Sequence, residues 1–406
     1  MHEQIVFNLI VFGVFALVAL NALSYYARRL TILPDIIWVL LLGIGYASIV
    51  HFGSFGLPEL ALNPDLILYV FVPPLIFAST QKMCLLHFQK ILWPASLVGS
   101  VGILISMVII AGVLHLAFTL PWLEALLFGA IISATDPLAV GVLLHNNKQV
   151  SESQKLLIEG ESILNDGFVI TVAGIIALVL FKGEDFDLLS SSTSFLTHVI
   201  GALLLGLFFG RGARWLLKIW QEEHFTLTIN MTIAIAFGSF LLAEMLHFSG
   251  ILAVFSTALA YGYKPDEQSQ NKHIHSNIWD YIEYIANAVL FFLLGASFFV
   301  YTSFETISVL LAVASLVLLL ISRMGALMLL YPFIKLEQKR LNRQSFWLLN
   351  FSGARGAVSI ALILLLPDSF VLKPLFLSLA FIMIVFSLVI YPLLIKQLLK
   401  FRSKVN

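Results

Sequence analysis

The chain runs to 406 residues, of which 60% are hydrophobic and only 11% charged, with 23 Lys and Arg balancing 23 Asp and Glu. A soluble domain, with roughly 25% charged residues, could not hide so much apolar surface, and a mean hydropathy of +0.98 excludes one on the same ground. Zero net charge gives no sign of nucleic-acid binding, and the single cysteine, Cys84, excludes an internal disulfide or a cysteine metal cluster and reads as a small apolar filler.

Apolar runs of about 20 residues, the length that crosses hydrocarbon, recur from one end to the other. The start, Met1-His2-Glu3-Gln4, lacks the basic n-region of a secretory signal, so the run from Ile5 to Leu23 reads as a retained helix. Broken at Gly, Pro and charge, the chain predicts about 13 spans, centred near Phe15, Leu41, Phe71, Ile103, Ile131, Val169, Leu205, Ile235, Ser256, Leu290, Ala314, Gly356 and Ile384. Pro73-Pro74 in the third span reads as a kink. Glu244, near the outer end of the eighth, is expected to snorkel or line an entrance, and His87, His145 and His247, near helix ends, to be interfacial. The ninth run, Ile251 to Tyr263, is short for a crossing.

Orientation tests the count. With connections numbered alternately, 19 of the 23 basic residues gather on one side, only Lys182 and Lys373 fall on the other, and Arg323 and Arg355 lie within spans. A miscounted helix would scramble that separation, so the positive-inside rule predicts an odd number of spans, N-terminus outside and C-terminus inside. Spans one to six and eight to thirteen then enter from opposite sides, the topology of an inverted repeat with the seventh as linker. The fifth and twelfth spans correspond, and each carries a break, Thr135-Asp136-Pro137 in one and Ser352-Gly353-Ala354-Arg355-Gly356 in the other. Matching interruptions in matching halves point to a binding site near mid-membrane.

The chemistry at the breaks follows from what they release. Pro137 has no amide hydrogen and disfavours the helical conformation at Asp136, so the carbonyl near Ser133 is expected to lose its partner. Freed carbonyls, a carboxylate and the Thr135 hydroxyl make a cation site, tolerated in hydrocarbon only where protein or a water-filled cavity satisfies them. The sixth span reads Glu159-Gly160-Glu161-Ser162-Ile163-Leu164-Asn165-Asp166-Gly167. On a helix Ser162 and Asp166 share one face, and Glu161 and Asn165 share another about 100° away. Asp166 has no basic residue near it in sequence. Desolvation makes such a lone carboxylate costly, so it seeks either a proton or a hard cation such as Na⁺, which become mutually exclusive ligands. Arg323 and Arg355, each costing at least about 2.5 kcal/mol unpaired at mid-membrane, are expected to need acidic partners. Glu161 is the natural counter-ion for Arg323, which leaves Arg355 near the second break.

These residues resemble the monovalent cation:proton antiporter-1 family, the sodium/proton exchangers of the NhaP type. The resemblance covers nearly the whole chain and rests on Thr135-Asp136-Pro137, Gly160-Glu161-Ser162 through Asn165-Asp166, Arg323 in its span, Gly353-Ala354-Arg355-Gly356, and Pro73-Pro74-Leu75-Ile76-Phe77. It implies an all-α polytopic fold with inverted six-helix repeats, crossed discontinuous helices five and twelve, and a homodimer. It divides the chain into a dimerisation domain (1–90 and 225–302), a core (91–182 and 303–406) and a linker helix (183–224). Asp136 and Asp166 would bind the ion, with Ser162 and the Thr135 backbone assisting, Glu161 and Arg323 paired for stability, and Asn165 and Arg355 supporting the site. Asn165, where the electrogenic branch has a second Asp, implies exchange of one cation for one proton. No cofactor is implied beyond the transported Na⁺ and H⁺, with Li⁺ or K⁺ as alternative cargo. The chain ends a few residues after its last span, so tail-borne regulation is not expected and a prokaryotic inner membrane is the expected home. Two other classes fit less well: an intramembrane aspartyl protease, for which the Gly-x-Gly-Asp run is missing, and a channel or organic-anion symporter, for which a repeated filter is missing and two midplane acids are unsuited.

Overall fold

The computed structural model describes residues 33–403 except 54–56, 84, 137, 146, 148, 183–187, 220–224, 263–269, 303–308 and 337–338. The first predicted span, Cys84, Pro137 and the basic residues Arg28, Arg29, Lys148, Lys264 and Lys404 lie outside the described residues. The rest is almost wholly helical: α1 (Asp35–Phe52), α2 (a π stretch Leu66–Phe71 continuing as Val72–Gln81), and α3 (Leu85–Ser96, a π stretch Leu97–Gly102, then Ile103–Phe118). Next come α4 (Trp122–Ser133), α5 (Leu138–His145), α6 (Glu152–Lys182), α7 (Leu188–Ile219), α8 (Phe225–Met245), α9 (Gly250–Tyr261), α10 (Gln270–Ala296) and the short α11 (Phe298–Tyr301). After α12 (Val309–Leu330), a two-stranded hairpin pairs Lys335–Leu336 with Lys339–Arg340 before α13 (Arg343–Phe351), α14 (Ala357–Leu364) and α15 (Lys373–Ser403). Among the described residues eight helices are long and apolar enough to cross a membrane, and Leu66–Gln81, Trp122–Ser133 and Gly250–Tyr261 are shorter apolar helices. Every predicted centre from Leu41 onward falls within one of these helices except Gly356, which caps α14.

The irregular turns have local causes. Pro73 and Pro74 cannot donate to the carbonyls of Tyr69 and Val70, and the turn that contains those carbonyls loosens into the π stretch of α2. In α3 the Ser100 hydroxyl donates to the Ser96 carbonyl at 2.5 Å, competing with the backbone amide that would otherwise use it. The widened turn there presents Gly99 to α6, where an added Cβ would stand 2.9 Å from the Glu161 carbonyl oxygen. Glu244 does not snorkel alone: its Oε1 accepts the Gly250 amide at 2.9 Å and so helps to cap α9, whose far end closes on Gly262 in the left-handed conformation at φ 45°.

Packing sorts the helices into two groups. In one, α1 lies on α10, α7 on α9, and α2 and α8 on both α9 and α10. Glycine makes the closest of these approaches possible, because a Cβ on Gly43 would stand 2.9 Å from the Ala296 amide nitrogen, and Gly206 and Gly210 are pressed against the α9 backbone. In the other group α3 packs on α4, α6 and α12, while α15 meets α5, α12, α13 and α14. The groups touch chiefly where α6 meets α9 and where α14 meets α2. Gly167, the residue after Asp166, sits at the first of these seams, 2.7 Å from Leu252 Cγ by its would-be Cβ.

Candidate functional site

Two broken helices face each other. α4 stops at Ser133 because Ala134 turns extended (φ −56°, ψ 137°), and the chain stays non-helical through Asp136. α13 stops at Phe351, and the chain stays non-helical from 353 until Gly356, itself extended, caps α14. The two non-helical stretches meet through a backbone hydrogen bond, the Asp136 amide donating to the Ala354 carbonyl at 2.6 Å. Arg355 then reaches across: its Nη1 donates to the Ser133 carbonyl at 2.6 Å and the Ala134 carbonyl at 3.1 Å. Ser359 Oγ donates to the Ile131 carbonyl at 2.9 Å, and Ser387 Oγ accepts the Arg355 amide at 3.0 Å.

This arrangement corrects two expectations. The Ser133 carbonyl is not left unsatisfied, since Arg355 donates to it, and the Arg355 side chain donates to carbonyls rather than to an acid. The reason is electrostatic: the C-terminal end of α4 carries the negative end of its helix dipole together with orphaned carbonyls, which suit a buried guanidinium with several donors. The complementary contact lies opposite. The Asp136 carboxylate rests against the N-terminal end of α14, so close that a Cβ on Gly356 would stand 2.5 Å from Asp136 Oδ2, where the positive dipole end favours an anion.

The sixth predicted span, α6, brings its two faces to this junction. Glu161 and Arg323 are 1% and 6% exposed and form a bidentate pair, Nη1 to Oε1 and Nη2 to Oε2 both at 2.8 Å. Arg323 also donates to the Leu349 carbonyl from Nη2 at 2.8 Å and from Nε at 3.3 Å, tying α12 to α13 as well as to α6. Asn165, on the face of Glu161, accepts the Thr135 amide at 3.3 Å through Oδ1 and donates to the Thr135 hydroxyl through Nδ2. Ser162, on the other face, donates its hydroxyl to the Thr135 carbonyl at 2.6 Å. Asp166, one turn further along, is half-buried and lies within the field of Asp136, and among the described residues none donates a hydrogen bond to its carboxylate.

Asp136, Asp166, Thr135, Ser162, Glu161, Arg323, Asn165 and Arg355 are therefore gathered at one junction of α4, α6, α12 and the stretch before α14. Thr135 O, Ser162 Oγ and the two carboxylates supply oxygen ligands of the kind a hard monovalent cation prefers. Among the described residues no group of three or more His, Cys, Asp or Glu is assembled that could hold a metal ion. Sequence reasoning did not single out Ser359, Ser387 or the Ala354 carbonyl. The available signal for the serines was a hydroxyl within an otherwise apolar run, which cannot be told from ordinary back-bonding without the partner helix.

A family model described as the transmembrane sodium/hydrogen exchanger matches residues 13–401. "Sodium/hydrogen exchanger 7" of Arabidopsis thaliana is 29% identical over 376 residues, covering 86% of this chain and 32% of its own length. "Na(+)/H(+) antiporter NhaP" of Pseudomonas aeruginosa is 28% identical over 376 residues, covering 87% of this chain and 88% of its own. The chain thus spans about a third of the plant relative and nearly all of the bacterial one. Among solved structures, the sodium proton antiporter MjNhaP1 of Methanocaldococcus jannaschii at pH 8 superposes with a TM-score of 0.72 at 18% identity, covering 98% of this chain and 97% of that one, a likeness of fold.

Proposed function

The chain belongs to the transmembrane sodium/hydrogen exchanger family, and on that premise we propose that it is a secondary antiporter exchanging Na⁺ for H⁺ across a bilayer. The observation that carries the reading is the meeting of two broken helices where the Asp136 amide donates to the Ala354 carbonyl, with Asp166 one turn beyond Ser162, whose hydroxyl holds the Thr135 carbonyl. Two carboxylates sharing one site are costly as a doubly charged pair, so the site is satisfied by one cation or by a proton and gains little from both. Ser162 spends its proton on the Thr135 carbonyl, which leaves its oxygen lone pairs free to face a cation.

Arg355 and the half-helix ends do a different job. By satisfying the carbonyls of α4 and seating Asp136 against α14, they hold the breaks open without a bound ion, so the same geometry serves the loaded and the protonated site. Glu161 and Arg323 brace α6 against α12 and α13, and Asn165 keeps the first break at its register on α6. In this reading the predicted fifth and twelfth spans cross at their breaks within a core (91–182 and 303–406). The core moves as a body past a dimerisation domain (1–90 and 225–302) across the α6–α9 and α14–α2 seams, with 183–224 as the linker. Exchange is electroneutral, one cation per proton, the protein is a homodimer in a plasma or inner membrane, and its N-terminus lies outside.

The reading is tested in two steps. Sodium added to weakly buffered, detergent-purified protein should release protons, and proteoliposomes should show Na⁺-driven proton flux with no organic solute present. Asp166→Asn should abolish both while the protein stays monodisperse. Retained exchange in that variant refutes the assignment.

A further inference from the structure

The run from Lys335 to Arg343 carries four basic residues, Lys335, Lys339, Arg340 and Arg343, against one acid, Glu337. The hairpin register sets Lys335 opposite Arg340 and Leu336 opposite Lys339, and like charges directly opposite in a ladder repel. The positive-inside bias explains how many cations lie on this side of the membrane, but not why two of them stand opposite each other across one pair of strands. Lys335 and Arg343 are exposed, and among the described residues neither forms an ion pair. We propose that this hairpin is a docking surface for anionic phospholipid headgroups, with Lys335 and Arg343 on the phosphate layer and Phe333 entering the acyl region beside it.

Two further observations favour a lipid surface. The first is that the hairpin is held in place despite its charges. Two strands this short are not stable alone, and these are anchored at both ends, by buried Ile334 before them and buried Leu341 after them, with the Leu341 carbonyl accepting the Tyr331 hydroxyl at 2.7 Å. The second is what lies beside the cations. Met328 and Leu329 in the last turn of α12 and Phe333 in the turn that follows are 55%, 63% and 63% exposed. Cations next to bare apolar side chains suit the boundary between headgroups and hydrocarbon. α12 is itself long and apolar enough to cross a membrane, which puts its end at that boundary. A free phosphate would gain nothing from the three apolar side chains. The inference goes beyond the antiport reading and takes from it only the orientation, by which the leaflet is the cytosolic one.

The test reads lipid composition beside the hairpin. The full chain, with a fluorophore on Leu329→Cys in a Cys84→Ser background, is placed in nanodiscs of phosphatidylcholine containing a minor share of phosphatidylglycerol, and quenching by a nitroxide on either headgroup is compared. Phosphatidylglycerol should be enriched beside the label, and the enrichment should collapse in about 1 M KCl, where screening shortens to roughly 3 Å. Attraction to an anionic surface is worth about fivefold for each Lys or Arg near it, so Lys335→Gln and Arg343→Gln should each lower the enrichment by about that factor. No enrichment, enrichment that both variants retain, or an equal loss in Arg211→Gln with Arg214→Gln, which lie on α7, overturns the proposal. A second measurement needs no label: phosphatidylglycerol added to detergent should raise the Tm of the parent more than that of Lys335→Gln with Arg343→Gln, and equal gains overturn the proposal. Failure of the antiport reading looks different: the parent protein would release no protons on addition of Na⁺, whatever lipid gathers at the hairpin.

Discussion

The Glu161–Arg323 pair allows the sharpest stability test. Both side chains are almost fully enclosed, 1% and 7% exposed, and both charged contacts are 2.8 Å. Removing one partner of such a pair leaves a buried charge without compensation and costs about 3–5 kcal/mol. Glu161→Gln leaves a guanidinium that cannot shed its charge, although it keeps its bonds to the Leu349 carbonyl. Arg323→Ala loses those bonds as well and should fall at the upper end of that range. At roughly 2 °C per kcal/mol, suited to a long chain, each single variant should melt about 6–10 °C below the parent. Removing both charges with apolar residues of similar bulk, Glu161→Leu with Arg323→Met, should restore most of the loss, because the desolvation cost disappears along with the attraction. The assay is thermal unfolding in detergent, followed by light scattering or size-exclusion recovery, with Na⁺-induced proton release measured on the surviving protein. Single variants that melt within about 2 °C of the parent, or a double variant whose loss is the sum of the singles, would refute the structural role.

The remaining predictions concern the other charges. Arg355→Lys keeps the charge but replaces a fork of donors with a single ammonium that does not reproduce the contacts to the Ser133 and Ala134 carbonyls, so Na⁺-driven flux should fall by about tenfold or more with the protein still folded; unchanged flux would show that charge alone suffices. Asn165→Ala frees the Thr135 amide and hydroxyl and should cost about 1–3 kcal/mol, with a raised KM for Na⁺ and no change in which ions are carried. Lys82, about half exposed, bridges to Asp280 at 2.8 Å and Glu283 at 2.7 Å, and Lys82→Met should cost at most about 1 kcal/mol, shrinking further in high salt. Burial alone would lower the Lys82 pKa, but the Glu283 and Asp280 carboxylates outweigh it and hold the ammonium above its ordinary value. A raised pKa gives stability that is complete below the unfolded value near 10.5 and is lost only as pH rises through the folded one, so the Lys82→Met deficit should be flat from about pH 6 to 9.

Much of this protein was legible before any coordinates. The run lengths and breaks located helices at every predicted centre from Leu41 to Ile384 save Gly356, where the chain is interrupted, and both interruptions fall where Pro137 and the Ser352–Gly356 run had marked them. That information is local: hydrocarbon demands long apolar runs, and proline or glycine cannot conceal a break in one. The face-sharing of Ser162 with Asp166, and of Glu161 with Asn165, was equally local, fixed by the helical repeat. Partner choice across the junction was not. The sequence announced two buried arginines and rightly demanded that each be compensated. Whether the compensation was a carboxylate, as for Arg323, or the carbonyls at a helix end, as for Arg355, depended on which backbone atoms the other repeat delivered within reach. Likewise Gly356 read as one of several glycines in a break, and only the approach of Asp136 from more than 200 residues away gave its missing side chain a role. Covalent order determines where the membrane forces a helix and where a helix must fail; what satisfies the groups released by that failure is settled by contacts between distant segments, which no spacing along the chain encodes.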